Sequence, residues 1–333
     1  MKPLRIGIMS FAHLHAEGYI GNLRFAPGVE YIGMADHDAD RGKHYADQFE
    51  SPLFESYEAL LAEAPDGVIV CSENNRHREL TIMAAESGAH VLCEKPIATT
   101  TADAEAIVAV CETAGVNLMI ALPMRFSAAA QQVKAMLDRG DLGVLRCANT
   151  TNQGENPDYH RTWFSDPEQA GGGAIMDHTV HVVDLMRWYT GAEPVEVYAE
   201  VDNLFGKGKV ETDTAGLVMI TFDDGTFISL DASWSRPQFY PTWGNVKIEL
   251  VCERGVLRAN YFNQKLQVYE GAAQRLLWYF WGSDPNQGMV DEFLASIREE
   301  RPPLITGRDG LQGLRVIEAA YESGRTNIPV RLD

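Results

Sequence analysis

The chain is short of cysteine, of basic charge and of long apolar runs. Its five cysteines (Cys71, Cys93, Cys111, Cys147 and Cys252) are odd in number, scattered and without CxxC spacing, which speaks against a disulfide framework or a cysteine-built zinc site. Three of them fall in apolar or strand-like runs, where a buried, inert thiol is expected. A reducing, cytoplasmic setting suits such thiols. Lys and Arg number 28 against 47 Asp and Glu, a net charge of −19, so the basic footprint that a nucleic-acid partner requires is missing. That acidity does not exclude a small phosphorylated cofactor, which backbone N–H groups at a helix start can hold. No apolar run reaches the length of a membrane span, so no membrane partner is expected. Residues Met1-Lys2-Pro3-Leu4-Arg5 enter a strand-like segment directly, with no apolar signal region.

What is present is an ordinary globular composition, 45% hydrophobic and 23% charged over 333 residues, long enough for two domains and a large core. Short β-rich runs at 4–9, 30–35, 67–71, 91–93 and 117–121 alternate with helical stretches near 15–26, 40–49, 56–62, 76–87 and 101–114. Such alternation predicts βαβ units and a parallel sheet. Around Pro123-Met124-Arg125-Phe126 the style changes. After a helix near 127–138, runs at 217–222, 226–234 and 247–252 alternate apolar and polar residues, as half-buried antiparallel strands do. Asp224-Gly225 between the first two signals a hairpin. A helix over 171–190 is expected before this sheet, with two more near 287–299 and 308–323. The expected architecture is an α/β domain with a parallel sheet over 1–122, then an α+β domain over 123–333 with a mainly antiparallel sheet.

A dinucleotide fold normally carries GxGxxG after its first strand. Here the turn reads Ser10-Phe11-Ala12-His13-Leu14-His15, with small residues in place of the first two glycines. Serine and alanine still permit close backbone approach. Given the fold, Asp36 at the end of the second strand sits where an acid accepts a ribose 2′-hydroxyl, which favours NAD over NADP. The plainer role for Asp36 is that of a turn or helix-capping residue. The segment Cys71-Ser72-Glu73-Asn74-Asn75-Arg76-His77 should form the crevice floor, with Asn74 or Asn75 contacting ligand or capping the next helix.

Glu94-Lys95-Pro96 ends the apolar run Ala89–Cys93. Ligands of open α/β sheets bind just beyond the carboxyl ends of the strands, so Lys95 is expected to face a crevice. Farther on, Gly171-Gly172-Gly173-Ala174-Ile175-Met176-Asp177-His178-Thr179-Val180-His181 sets Asp177 and His181 at i and i+4, on one helix face. Amine, carboxylate and imidazole are the parts needed to take a proton from an alcohol: the imidazole accepts it and the ammonium stabilises the developing alkoxide. The plainer readings are a Lys95–Glu94 ion pair, an ordinary Asp177–His181 helix pair, or a metal set of Asp177, His178, His181 and Asp184. No cysteine or distant histidine obviously completes such a set, and no metal is expected. The three glycines either let backbone approach the substrate or free the helix start at Ala174.

These motifs, in this order, resemble the Gfo/Idh/MocA oxidoreductases, the family of inositol dehydrogenase and glucose–fructose oxidoreductase. The resemblance spans the chain, from the first strand through Asn74-x-x-His77, Glu94-Lys95-Pro96, Arg125-Phe126, Trp163-Phe164-x-x-Pro167 and Gly171-Gly172-Gly173-x-x-x-Asp177-x-x-x-His181-x-x-Asp184 to Ala319-Ala320-x-x-Ser323. It implies a Rossmann domain followed by one built on a large open sheet. It implies Lys95, Asp177 and His181 as catalytic residues, and Ser10, Phe11, Ala12, His13, Asp36, Ser72, Asn74, His77 and Glu94 beside NAD. It further implies Arg125, Asn152 and His160 near the substrate, a cis Lys95-Pro96 bond, and dimers or tetramers through the exposed face of the sheet. The chain departs from the family in its glycine-poor turn and in Glu73, which stands where proline is usual. The expected function is hydride transfer between NAD and a secondary alcohol of a sugar, cyclitol or polyol. The alternatives are an enzyme that keeps and recycles its NAD, for glycosidic cleavage, epimerisation or sugar–sugar hydride exchange, and a non-catalytic dinucleotide or sugar sensor.

Overall fold

The computed structural model describes every residue except 1, 241, 264, 271–273, 281 and 333. The first sheet grows from runs too apolar to leave either face in water. Its strands are β1 (Leu4–Met9), β2 (Val29–Ala35), β3 (Leu53–Phe54), β4 (Gly67–Val70), β5 (His90–Cys93) and β6 (Leu118–Ile120). Ile6, Ile8, Val68, Ile69, Val91 and Leu92 are all completely buried, as parallel strands covered on both faces require. Helices α1 (His15–Phe25), α2 (Ala39–Phe49), α3 (Tyr57–Ala62), α4 (His77–Glu86) and α5 (Thr101–Ala114) connect them. Several helix starts are set by local chemistry: Asp38, Ser56 and Thr100 each accept a backbone N–H three residues on. The strands pair in parallel in the order β3-β2-β1-β4-β5-β6. The order reverses between β1 and β4, and a crevice opens there beyond the carboxyl ends of the strands.

The rest of the chain forms α6 (Ala128–Asp138), β7 (Leu145–Glu155), α7 (Pro167–Ala170), α8 (Ala174–Thr190), β8 (Pro194–Asp202), β9 (Ala215–Phe222), β10 (Phe227–Arg236), β11 (Val246–Cys252), β12 (Gly255–Asn260), β13 (Lys265–Glu270), β14 (Arg275–Phe280), α9 (Pro285–Arg298), α10 (Gly307–Thr326) and β15 (Val330–Arg331). Seven of these strands make a mixed, mostly antiparallel sheet, β12-β11-β7-β10-β9-β8-β15, in which only β7 and β10 run parallel. The expected alternation holds: Ile228, Leu230, Ala232, Ile248 and Leu250 are buried on the face that α8 and α10 cover. Leu217, Met219, Phe227 and Val256 stand exposed. The hairpin expected at Asp224-Gly225 joins β9 to β10, with Gly225 at φ 84°.

One expectation is corrected. The helix near 171–190 does not precede the sheet, because β7, eleven residues long, lies before it. The sequence conceals β7 because its inward positions include Thr150 and Asn152, buried polar residues, so the apolar alternation that marks a half-buried strand is broken. The chain finally returns to the first sheet: Met119 of β6 bridges Thr306, and Asn22 of α1 bonds Gln287 of α9 at 2.8 Å. No helix among the described residues is long and apolar enough to cross a membrane.

Candidate active site

The end of β5 and the first turn of α8 meet across the crevice. Lys95 Nζ lies 2.5 Å from Asp177 Oδ1, with both side chains buried. Lys95 therefore pairs with Asp177 rather than with its neighbour Glu94. The Lys95-Pro96 bond is cis, and His77 donates from Nδ1 to the Pro96 carbonyl at 2.8 Å. His77 thus props the segment from below, fully buried, instead of facing a ligand.

The start of α8 has no side-chain cap of its own. Asp213, from the loop before β9, supplies one: its two oxygens accept the N–H groups of Gly173 and Ile175, each at 2.8 Å, and the Tyr321 hydroxyl bonds Asp213 at 2.8 Å. A Cβ on Gly173 would overlap the Asp213 carbonyl, and one on Gly172 would overlap the Tyr321 hydroxyl. The glycines make room for this clamp, not for a substrate. The clamp holds Asp177 in place. Asp177 Oδ2 accepts from Trp234 Nε1 at 3.2 Å and faces His178 Nε2 at 3.1 Å, while His178 Nδ1 donates to the Asn152 carbonyl at 2.8 Å. Burial pushes the Asp177 carboxyl up, but Lys95 and His178 outweigh it and hold the group well below the carboxylate range. His181, one turn on, is held well below its ordinary value by burial and by the Lys95 charge, and so stays neutral. The alternative metal set does not converge, since Asp184 turns away to Arg125.

Glu94 is completely buried beneath the same site. It accepts from Tyr19 at 2.6 Å, from the Lys95 N–H at 3.1 Å and from His15 Nδ1 at 2.9 Å. Burial raises its pKa, but His13, His15 and Lys95 together bring it well below the usual range. His13, His15 and Glu94 also bring metal-type donor atoms within 4.8 Å of one another, with Glu94 already engaged by these hydrogen bonds. A cavity of about 200 Å³ opens over the group. Its lining mixes polar residues, His13, His15, Lys95, Asn152, Asp177, His178, His181 and Asn286, with apolar ones that include Met124, Phe164, Trp243, Val246 and Phe262.

Of the three residues expected near substrate, only Asn152 lines this cavity, and its amide is spent on the His178 carbonyl at 3.0 Å. Arg125 does not line it: its guanidinium grips Asp184 through bonds of 2.9 and 2.6 Å and donates to the Leu304 carbonyl. His160 does not line it either, and packs against the lining residue Trp243, ring centroids 4.7 Å apart. His15, His178 and Trp243 were missed as site residues. The only sequence signal for the two histidines was their closeness to the motifs, and Trp243 gave none.

The dinucleotide side is mixed. Ser10 takes φ 74°, the left-handed conformation that glycine usually supplies in this turn, so the turn keeps its shape without glycine. Asp36 stands at the end of β2 as expected. Other residues depart from expectation. Phe11 is core, completely buried with its ring 5.0 Å from that of Tyr45. Asp36 accepts from the Phe11 and Asp38 N–H groups and is gripped twice by Arg41, at 2.9 and 2.7 Å. A phosphate there would thus meet a guanidinium as well as a like charge. Ser72 bonds the Glu73 carbonyl at 3.1 Å, and Asn74, which caps no helix, bonds the Ala170 carbonyl at 2.9 Å. In the turn itself the Phe11, Ala12 and His13 N–H groups go to Asp36, Ser10 Oγ and the Cys71 carbonyl. The residue types suit a dinucleotide, and in this conformation these three N–H groups of the turn are bonded within the protein.

Comparison with known proteins agrees with this architecture. The profile "Oxidoreductase family, NAD-binding Rossmann fold" matches residues 4–122, and "GFO/IDH/MocA C-terminal domain" matches residues 130–258. The chain is 29% identical to 1,5-anhydro-D-fructose reductase of Ensifer adhaerens, over 95% of this chain and 96% of that one. It is 26% identical to myo-inositol 2-dehydrogenase of Thermotoga maritima, over 99% of each. Among solved structures it shares the fold of GenD2 from gentamicin A biosynthesis in complex with NAD, with a TM-score of 0.90 and 23% identity over 100% of this chain and 97% of that one.

Proposed function

The chain belongs to the Gfo/Idh/MocA family of oxidoreductases, and from that premise we propose that it interconverts a secondary alcohol and a ketone on an uncharged sugar, cyclitol or polyol, with NAD as its redox partner. The observation that carries the reading is the 2.5 Å Lys95–Asp177 contact, made on the wall of the same cavity as the neutral His181. Asp36, Ser10 and the loop at Ser72–Asn74 would hold the dinucleotide, and the nicotinamide, when bound, supplies the hydride chemistry.

The remaining work falls to this chain's own residues. Lys95 brings an ammonium to the substrate oxygen, where a positive charge stabilises an alkoxide more than an alcohol. Asp177 fixes that ammonium and is itself fixed by Trp234 and His178. His181 stays unprotonated at neutral pH and can receive the hydroxyl proton. Lys95 is the sole Lys or Arg among the described residues lining the cavity, and its charge is already balanced by Asp177. A substrate phosphate or carboxylate would therefore be desolvated without a free cation to meet it. The wall of Trp243, Phe262 and Met124 suits the C–H face of a neutral ring.

The test is nicotinamide-linked turnover on matched pairs: D-glucose against D-glucuronate and D-glucose 6-phosphate, with myo-inositol and D-xylose as further neutral members. A neutral compound should be the substrate, and Lys95→Ala should lower kcat by about 100-fold or more at a temperature where circular dichroism shows the variant folded, since Asp177 loses its partner. A charged member preferred ten-fold, or full turnover in Lys95→Ala, would remove the proposal.

A further inference from the structure

The Ala12 carbonyl oxygen of the turn after β1 accepts two hydrogen bonds from outside the first sheet, from Arg161 Nε and Trp163 Nε1, each at 3.0 Å, and the Asn74 amide holds the far end of the same segment at the Ala170 carbonyl, 2.9 Å. Arg161 also reaches Glu17 at 3.3 Å and the Tyr45 hydroxyl. The Trp163 and Phe164 rings stack at 3.9 Å, and Phe164 lies 5.2 Å from the His13 ring. The segment between β7 and α8 thus lies across the turn that receives a pyrophosphate in this fold.

Two further features show how it can move. Trp163, Phe164 and Ala170 form a small apolar cluster of their own, apart from the continuous core, so lifting them does not open that core. The segment is also ordered within itself, through Ser165 Oγ to Asp158 at 2.6 Å and the Asp166 cap on Glu168 and Gln169. It ends at Gly171, φ 77°. We propose that residues 157–170 are a latched cover, and that Trp163 and Arg161, through the Ala12 carbonyl, determine when a dinucleotide can enter. Entry then follows opening. The proposal rests on the reading of the chain as a dinucleotide enzyme and adds the order of events.

A gate of this kind has a kinetic signature, because binding cannot outrun opening. Full-length protein mixed with NADH in a stopped-flow instrument, read by nicotinamide fluorescence, should give an observed rate that levels off as NADH rises. Trp163→Phe keeps the ring stack but lacks the indole N–H, and should raise that plateau about five-fold or more, the loss of one hydrogen bond in the closed state. Arg161→Met serves as the second variant, and thermal melts establish that each is folded. A rate linear in NADH to millimolar concentration, or a plateau unchanged in both variants, overturns the gate and leaves the cofactor assignment standing. Absence of NADH binding in wild type and variants alike overturns both.

Discussion

Arg125 lies next to two residues of the cavity wall, Pro123 and Met124, yet its guanidinium points away from the cavity. What directs it is Asp184, nearly fully buried on α8, whose carboxyl is pushed up to about 6 by burial against the pull of Arg125. A buried carboxylate that loses its partner is left with its full desolvation cost, so Arg125→Ala should destabilise the fold by about 3–5 kcal/mol in urea titration. The same variant should leave KM for any turned-over sugar within about two-fold; a large rise in KM with stability intact would restore Arg125 to the substrate. Lys95 was legible at the end of a strand, and Asp177 and His181 as an i, i+4 pair, because each of those signals is local. The directions of Arg125 and Asp36 were not. Each depends on a partner, Asp184 or Arg41, that nothing in the local pattern announces.

At the scale of elements, α8 is the part on which the site turns, and its start is fixed from outside. Asp213 and Tyr321 do what a side-chain cap does elsewhere, and Gly172 and Gly173 are the space that this needs. Gly173→Ala would set a methyl group against backbone rather than against a flexible side chain. The expected cost is about 1–3 kcal/mol, read as a fall in melting temperature, together with a loss of turnover larger than the stability change explains, because Asp177 shifts with the helix. An unchanged melt and unchanged turnover would show that α8 is positioned some other way. The sequence marked α8 by its spacing and β10 by its alternation, but β7 was hidden by Thr150 and Asn152 on its inner side. Asn152 is there to hold His178 through backbone and amide, so the polar residue that conceals the strand serves the site.

For the whole molecule, the buried ionisable groups set how stability depends on pH. His13, His77 and His181 are all held below 6.5, chiefly by burial. In the unfolded chain they take up protons near 6.5, while in the fold they stay neutral to lower pH. The unfolded state therefore binds more protons below 6.5, and stability present above that pH is lost as pH falls, by up to about 1.4 kcal/mol per pH unit for each histidine. Glu94 and Asp177, held below 4.5 and 3.8, extend the loss further into acid. Asp184, raised to about 6, takes up its proton first in the fold and offsets part of this loss, but the three histidines outnumber it. Melting temperature should therefore still fall from pH 6.5 to 5, and His77→Asn, which can keep a bond to Pro96, should flatten that slope; a melting temperature constant over this range would contradict the argument. Read alone, the sequence determined the parallel sheet, the change to half-buried strands after residue 123, and the placement of Lys95 at a strand end. Those features follow from apolar periodicity and chain punctuation, which act over a few residues. Only the tertiary structure decided that Asp177 takes Lys95, that His15 takes Glu94 and that Trp163 and Arg161 close over Ala12. Hydrogen-bond direction and desolvation arise where distant segments meet, and no local pattern carries them.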